Sequence, residues 1–214
     1  MIPARDAAAT LPEVLARLPI RQLRSVVVVD HASRDATSAI ARDAGALVLR
    51  EPSGGYGAAC LHAIAHLSSL PEPPGVVAFV PGDGRADSAD LGAVVQPILD
   101  GSAELAIGVR TREQGPPIAE RVAVGLIRAV YRHRFRDLGP MRAVRFPALV
   151  ALGMSDRGGG WDVEMQVRAL KLGLAIAEVP VGTTASPRSR GAATAAAAAG
   201  TRSLFHILRH ATMR

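Results

Sequence analysis

Three polar residues follow apolar runs that have the composition of buried strands. Asp30 ends the run SVVVVD, Asp83 lies in the turn PGDG that follows VVAFV, and Arg110 follows a fourth run. A carboxylate at Asp30 can accept hydrogen bonds from a base N–H or a ribose hydroxyl, and Asp83 can ligate Mg²⁺ or Mn²⁺ through oxygen. A cation such as Arg110 can meet a phosphate. The alternative interpretation is that Asp30 only caps the turn and helix that follow it.

A glycine-rich turn, EPSGGYG over residues 51–57, leads into a helical pattern. With Cys60 it nearly matches G-x-G-x-x-G, but the third glycine is replaced by that cysteine and the turn follows the second recognisable strand, not the first. Dinucleotide binding is therefore disfavoured, and no P-loop, H-E-x-x-H or G-x-S-x-G pattern is present. Two carboxylates, a flexible loop and a cation together fit a nucleotide sugar with a metal.

The elements that would position these residues alternate between two kinds of apolar pattern. The first 110 residues predict β-α-β-α-β-α-β, because short, β-branched, wholly apolar runs are typical of strands buried on both faces of a parallel sheet. Ligands of such open sheets bind outside the carboxyl ends of the strands, where the three polar residues fall. The predicted strands cover residues 25–30, 46–50, 76–80 and 104–109, and the predicted helices cover residues 33–44, 58–70 and 88–99, with Ser33 as the first helix cap.

The second half of the chain has a less regular pattern. We predict a helix near residues 120–134, an extended piece at 141–144, a short helix from Pro147, a helix over 161–172 and a strand over 174–179. After residue 181 the chain is rich in Thr, Ser, Arg and Ala. We therefore divide it into a doubly wound α/β domain over residues 1–181 and a basic, Ala-rich tail over 182–214, with a helix near residues 192–210.

Length and composition exclude several classes of protein. The 214 residues are 49% apolar and 21% charged, which is typical of one globular domain and not of a disordered chain. No apolar run approaches the ~18 residues that a membrane span requires, and the start has no signal-peptide pattern, so we expect a cytoplasmic protein. The single cysteine, Cys60, excludes an intrachain disulfide and a cysteine-cluster metal site.

The charge of the chain raises the question of a nucleic-acid partner. The net charge is +6, but the arginines are spread along the whole chain and aromatic residues make up only 3% of it, too few to stack the bases of a single strand. We therefore expect no nucleic-acid binding. Anionic phosphate ligands or an anionic membrane surface suit the charge as well.

Five ordered motifs carry a resemblance to a known family. The motif VVDHASRDAT over residues 28–37 is the most specific of them, and the chain resembles the family 2 glycosyltransferases of the GT-A fold over nearly its whole length. It is most similar to bacterial cytosolic members related to dolichyl- and polyprenyl-phosphate sugar transferases. The other motifs are IPARD (2–6), GYGAAC (55–60), DLGPMRA (137–143) and GWDVEMQ (160–166).

The resemblance implies a nucleoside-diphosphate sugar donor, a divalent metal (Mg²⁺ or Mn²⁺) and transfer with inversion. Asp83 corresponds to a family metal ligand, and it would act through oxygen. The residues that the resemblance places at the nucleotide sugar are Pro3, Ala4, Arg5, Asp30, Ser33, Gly55, Gly57, Asp83 and Arg110.

The acceptor stays open between a phosphate, such as a lipid phosphate, and a hydroxyl. A phosphate is already ionised, whereas a hydroxyl needs a carboxylate to take its proton, for which Glu164 and Asp162 are the candidates. Trp161 either packs beneath the acceptor site or fills the core. Arginines of the tail could also attach the protein peripherally to the inner face of the membrane. The residues expected at the acceptor or its phosphate are Arg142, Trp161, Arg188 and Arg190.

Departures from the family pattern leave a second hypothesis open. The first acid of the family's D-x-D is Pro81 here, which leaves Asp83 alone, and the family's first strand should precede Ile2, so that strand is expected to be missing or truncated. The chain is therefore either an active glycosyltransferase or a degenerate, inactive relative that binds a sugar nucleotide. A nucleotidyltransferase of similar fold is a further alternative.

Overall fold

The computed structural model describes residues 1–53, 55–111 and 118–183. Within them the chain forms strands and helices in alternation, followed by two helices and a last strand. The strands are β1 (Ile2–Ala4), β2 (Val27–Asp30), β3 (Leu47–Arg50), β4 (Val76–Phe79), β5 (Leu105–Arg110), β6 (Met141–Arg145) and β7 (Ile176–Val181). The helices are α1 (Leu11–Ala16), α2 (Thr37–Asp43), α3 (Tyr56–Ser68), α4 (Leu91–Leu99), α5 (Ile118–Tyr131), α6 (Phe146–Leu152) and α7 (Trp161–Lys171).

The strands form two ladders that continue into each other at the amino terminus of the chain. One ladder has the order β3-β2-β1 and is parallel; the other has the order β4-β6-β5-β7, with β6 antiparallel to both neighbours. Met1 joins them, because its amino group donates to the Ala78 carbonyl at 2.6 Å and its carbonyl accepts from Val80 N at 3.0 Å. The result is one mostly parallel sheet with the strand order β3-β2-β1-β4-β6-β5-β7.

Helices cover both faces of this sheet, as the apolar runs predict. Alternate side chains of a strand point to opposite faces, so Val27 and Val29 join one core while Val28 joins the other. The first core lies beneath α3, α5, α6 and α7, and the second beneath α1, α2 and α4. The doubly wound α/β class is thus confirmed.

Three details differ from the sequence-based expectations. The first strand is present but short: of the two alternatives, missing or truncated, it is not missing, since Ile2–Ala4 pairs in parallel with Val28–Asp30. Helix α2 begins at Thr37 and not at Ser33, because residues 30–36 form a loop that bonds to the chain after β1. The short helix α1 carries no strong periodic signal and was not predicted.

The remaining elements agree with the predictions to within a few residues. Helix α5, predicted near residues 120–134, ends at Tyr131, and Arg132 then takes a left-handed conformation with φ = 56°. None of the helices in the described part of the chain is long and apolar enough to cross a membrane. The tail helix predicted near residues 192–210 lies outside the described residues.

Candidate active site

The carboxyl ends of β1, β2, β4 and β5 meet at one edge of the sheet. The turn after β4 touches the end of β1: a Cβ on Gly82 would lie 3.0 Å from the Ala4 Cβ and 3.1 Å from the Pro3 carbonyl oxygen. The Thr10 hydroxyl, at the start of α1, donates to the Gly82 carbonyl at 2.8 Å. Pro3 and Ala4 are buried, so their predicted contact with a nucleotide sugar has to come from this backbone edge.

Asp30 lies at the end of β2 and is nearly inaccessible, with 3% of the residue exposed. One of its carboxylate oxygens accepts from Ser33 N at 2.9 Å and the other from the Ser38 hydroxyl. Burial opposes ionisation of Asp30, but these hydrogen bonds and the charge of Arg50 outweigh it and hold its pKa below the usual value. The carboxylate is therefore ionised and pre-positioned, and its contact with a nucleotide stays a prediction.

The loop after β2 also fixes the loop after β1. Asp6 N donates to the Ser33 hydroxyl oxygen at 3.0 Å, and Asp6 in turn accepts from Arg34 N at 2.8 Å. The two residues after Asp6 are held by the same loop: Ala7 N donates to the Thr37 hydroxyl oxygen, and Ala8 N donates to the Asp35 carboxylate. Ser33 is thus a bridge between two loops rather than a helix cap. Arg5 extends from the same loop, with 54% of its side chain exposed.

The glycine-rich loop packs against the loop that precedes α7. A Cβ on Gly57 would lie 2.0 Å from the Asp156 carbonyl oxygen, and one on Gly55, which has φ = 100°, would lie 2.4 Å from the Arg157 carbonyl oxygen. The N–H of Gly57 donates to the Gly158 carbonyl, and that of Ala58 to the Arg157 carbonyl. The glycines are therefore explained by close backbone contact, and their role in nucleotide binding stays a prediction.

Asp83 is the exposed carboxylate of the turn after β4. Its side chain is 56% exposed, one oxygen accepts from Arg85 N at 3.2 Å, and the same oxygen lies 3.5 Å from Arg85 Nε. Pro81 contributes no oxygen ligand, and the described residues contain no cluster of three His, Cys, Asp or Glu side chains that could hold a metal ion. The donor set fits Mg²⁺ or Mn²⁺ only through one carboxylate completed by oxygens of a substrate.

Arg110, at the end of β5, is paired within the protein. Its Nη1 donates to Glu120 at 2.7 Å and to both carboxylate oxygens of Asp137 at 2.8 and 2.9 Å. Burial, together with the neighbouring Asp137, raises the pKa of Glu120 to about 6 despite the arginine. Burial works against ionisation of Asp137 as well, but the hydrogen bond from Glu120 and the charge of Arg110 keep its pKa below the usual value. This pairing argues against Arg110 as a phosphate ligand.

Arg142 is likewise internal. The residue is 1% exposed, and its Nη2 donates to the carbonyls of Leu138 and Gly139 and lies 3.1 Å from Asp162 Oδ1. The prediction that Arg142 meets the acceptor is therefore not supported. Asp162, by contrast, starts α7 with 26% of its side chain exposed, so it can reach a substrate.

Glu164 does not have the surroundings of a general base. It is fully buried, and its carboxylate accepts from Ser155 N, the Ser155 hydroxyl, Asp156 N and the Arg168 guanidinium at 2.7–3.1 Å. Burial would raise its pKa, but these donors lower it below the usual value. A base must come within hydrogen-bond distance of the proton that it takes. The structure thus favours Asp162 over Glu164 and gives Glu164 the task of holding the loop before α7.

Trp161 fills the core. It has no exposed surface, and its ring centroid lies 6.3 Å from that of Phe79. Of the two interpretations of this tryptophan, the structure favours a role in the core, because the buried side chain has no exposed surface that could contact an acceptor. Arg188 and Arg190, predicted at the acceptor phosphate, lie outside the described residues.

Sequence reasoning assigned no role to Glu120, Asp137 or Arg85. Asp137 stands in the motif DLGPMRA, but nothing local shows that it pairs with a residue 27 positions earlier. Arg85 follows Asp83 by two residues in the same turn, and that spacing was a usable signal for a cation at the end of β4.

Comparison with known proteins shows the family of this chain. A family model described as glycosyl transferase family 2 matches residues 1–146. The chain belongs to the family 2 glycosyltransferases. An uncharacterised glycosyltransferase of Mycobacterium tuberculosis is 35% identical over 197 residues, which cover 89% of this chain and 86% of that protein. The glycosyltransferase AglJ of Haloferax volcanii is 27% identical over 202 residues, covering 91% of this chain and 64% of that protein.

Solved structures confirm the fold of this family 2 glycosyltransferase. The glucosyl-3-phosphoglycerate synthase of Mycobacterium tuberculosis, in complex with Mn²⁺, UDP and phosphoglyceric acid, superposes with a TM-score of 0.82 at 19% identity, covering 100% of this chain and 78% of that chain. The same enzyme with Mg²⁺ and UDP gives a TM-score of 0.81 at 20% identity, with the same coverage of both chains. The GT-A fold is thus shown.

Proposed function

We propose that this protein transfers a sugar from a UDP-sugar, with inversion and assisted by a divalent metal, to an acceptor that carries a phosphate or a hydroxyl. The observation that carries the proposal is Asp83, an exposed carboxylate at the carboxyl end of β4 in a chain of this family. A structurally similar enzyme binds UDP with Mn²⁺ or Mg²⁺, which supports the choice of donor and metal.

Asp83 would hold the metal together with diphosphate oxygens of the donor, since Pro81 contributes no ligand. The metal would offset the negative charge that develops on the leaving diphosphate. The chain's own residues do the rest. Asp30 would accept hydrogen bonds from the nucleoside, and its bonds to Ser33 and Ser38 keep that carboxylate in place.

The class of acceptor decides whether a base is needed. A phosphate acceptor is already ionised near neutral pH, so no proton has to be moved. A hydroxyl acceptor needs a carboxylate that can reach it, and Asp162 is better placed than the buried Glu164. A structurally similar enzyme was solved with phosphoglyceric acid, which carries both groups, and this supports an acceptor with a phosphate.

Calorimetry with UDP, beside a transfer assay with UDP-glucose and Mn²⁺, tests the proposal. We expect UDP to bind more tightly with Mn²⁺ than with EDTA, and Asp83→Asn to remove that difference. Release of UDP that depends on an added phosphate-bearing acceptor would support transfer. Binding without turnover over a broad acceptor panel would favour the inactive relative, and no binding of UDP under either condition would contradict the proposal.

A lipid phosphate is the membrane-bound version of such an acceptor. The tail over residues 182–214 carries Arg188, Arg190, Arg202, Arg209 and Arg214, and almost all of it lies outside the described residues. Each basic residue near an anionic surface contributes roughly 1 kcal/mol of attraction, which salt screens. Co-sedimentation with anionic vesicles at low but not high salt would support this peripheral attachment; no co-sedimentation at low salt would favour a soluble acceptor.

A further inference from the structure

Arg85 lies in the turn after β4, next to the carboxylate proposed to hold the metal. Its backbone N–H donates to Asp83, and its Nε lies 3.5 Å from the same oxygen, too far and too poorly aligned for a hydrogen bond. The guanidinium donates no hydrogen bond within the described part of the chain, although the side chain is only 40% exposed. An arginine with unused donors beside this carboxylate is available to an anionic ligand.

Two further arginines near this edge are not available. Arg110 is held by two carboxylates, and Arg142 by Asp162 and two backbone carbonyls. Both were expected at phosphates, and both are used inside the protein. Among these three arginines, Arg85 is therefore the one whose donors can turn to a substrate.

Arg85 stands among negatively charged side chains, so a diphosphate can bind there only if a positive charge offsets them. The negative charge of Asp83 acts on its guanidinium at short range, and those of Asp162 and Glu120 act on it as well. Carboxylates in this place would repel the two negative charges of a nucleoside diphosphate. A guanidinium offers a planar fork of donors that matches phosphate oxygens, and it carries its charge at every physiological pH.

The replacement of an acid by Pro81 makes such a cation necessary. A single carboxylate binds a divalent metal weakly before the substrate is present. A second carboxylate would have strengthened metal binding, so without it part of the positive charge at the diphosphate has to come from the protein. The Arg85 side chain can rotate from Asp83 to the diphosphate.

Resting on the proposed function, we infer that Arg85 binds the diphosphate of the donor directly and is a catalytic residue that stabilises the leaving group. In the transfer step, the bond between the anomeric carbon and the diphosphate oxygen breaks, and its electron pair goes to that oxygen. The acceptor oxygen forms the new bond to the anomeric carbon. Its proton, when it has one, goes to Asp162. Arg85 donates to the oxygen on which the charge develops.

Calorimetry in EDTA isolates this contribution from that of the metal. UDP, GDP and inorganic pyrophosphate are titrated into the wild type, Arg85→Gln, Arg85→Lys and the control Arg24→Gln, which removes an exposed arginine paired with Glu72. We expect measurable binding of UDP to the wild type in EDTA, a loss of roughly ten- to a hundredfold in Arg85→Gln, a smaller loss in Arg85→Lys and none in the control. Unfolding temperatures should change little, because the Arg85 guanidinium donates no hydrogen bond to a described residue and its ion pair with Asp83 is exposed.

The outcomes separate the two proposals. Equal UDP affinity of wild type and Arg85→Gln in EDTA, or binding to the wild type that requires Mn²⁺ altogether, would overturn the role of Arg85 while leaving the proposed function intact. Failure of UDP, GDP and pyrophosphate to bind with or without Mn²⁺ would instead contradict the proposed function. Loss of pyrophosphate binding along with UDP in Arg85→Gln would support contact with the diphosphate rather than with the nucleoside.

Discussion

Arg142 Nη2 lies 3.1 Å from Asp162 Oδ1, so that a buried strand of the sheet holds the first turn of α7 by an ion pair. Arg142 sits on β6 with 1% of its surface exposed, whereas Asp162 is partly open to solvent. One end of the pair is therefore fixed by the core and the other faces the site. Two predictions follow from the two ends.

Arg142→Met should destabilise the protein by about 3–5 kcal/mol, because it leaves the carbonyls of Leu138 and Gly139 without their buried donor and removes the charge that pairs with Asp162. The measurement is urea unfolding followed by circular dichroism. Arg145→Met, on the exposed end of the same strand, is the matched control and should change stability little. A loss below about 1 kcal/mol in Arg142→Met would show that the pair is not structural.

Asp162→Asn should lower kcat with a hydroxyl acceptor by about 10²- to 10⁴-fold, the usual contribution of a general base. UDP affinity should change little, since the substitution keeps the size of the side chain and leaves the donor residues intact. The rates are compared below the unfolding temperature of the variant, because Arg142 loses a charged partner. An unchanged kcat with that acceptor would show that another group takes the proton of the hydroxyl.

Glu164→Gln should weaken the fold rather than the chemistry. The carboxylate accepts hydrogen bonds from Ser155, Asp156 and Arg168, and an amide cannot accept all of them, so we expect a loss of about 2–4 kcal/mol. In the protein that remains folded, kcat should fall by far less than the ~100-fold that loss of a general base costs. Differential scanning calorimetry and single-temperature kinetics separate the two effects; a large fall in kcat without a fall in stability would restore Glu164 as the base.

Gly57→Ala should destabilise the protein by roughly 1–3 kcal/mol and weaken UDP binding. The added Cβ would meet the Asp156 carbonyl oxygen at 2.0 Å, so the loop before α7 would have to move. Gly125→Ala is the control, since nothing lies within 4 Å of its Cβ and alanine favours a helix interior by about 1 kcal/mol. If both variants were equally stable, the contact between the two loops would be looser than the structure shows.

Because of Glu120, the free energy of unfolding should decrease as the pH rises from about 4.5 to 6. Its pKa is raised to about 6 by burial and by Asp137, so the folded protein holds a proton that the unfolded chain has lost. This contribution is present below pH 4.5 and lost above pH 6, and it amounts to no more than about 2 kcal/mol. Urea unfolding at pH 5 and pH 7 should show that the wild type loses stability relative to Glu120→Gln at the higher pH. Glu72→Gln, at an 86% exposed side chain, should show no such difference.

The fold was largely predictable because each strand and helix is indicated by the apolar pattern of its own short stretch of sequence. Apolar runs such as Val27–Asp30 are buried on both faces, and the helices between them follow from the apolar periodicity. The place of β6 was not predictable, since nothing in Met141–Arg145 states that it will lie antiparallel between two strands made earlier.

The site was only partly predictable, for the same reason. Strand ends located Asp30 and Asp83 at the edge where the carboxyl ends of the strands meet. Whether a charged residue faces a substrate or a partner inside the protein depends on residues far away in sequence, as the pairing of Arg110 with Asp137 shows. Motif similarity predicted Glu164 near the site. It could not show that the carboxylate already accepts hydrogen bonds from backbone N–H groups such as that of Asp156.

The antiparallel strand β6 has a consequence for how the protein is assembled on the ribosome. Strands β1, β2 and β3 can pair once the first 50 residues have emerged, but β4 and β5 are not neighbours and have to wait for β6, which separates them. The half of the sheet that carries Asp30 is therefore expected to form early in synthesis. In the half that carries Arg110, β4 and β5 are joined only after Arg145 has been added, and β5 gains its other neighbour, β7, later still. Until then the nascent chain exposes unpaired strand edges to chaperones and to other nascent chains.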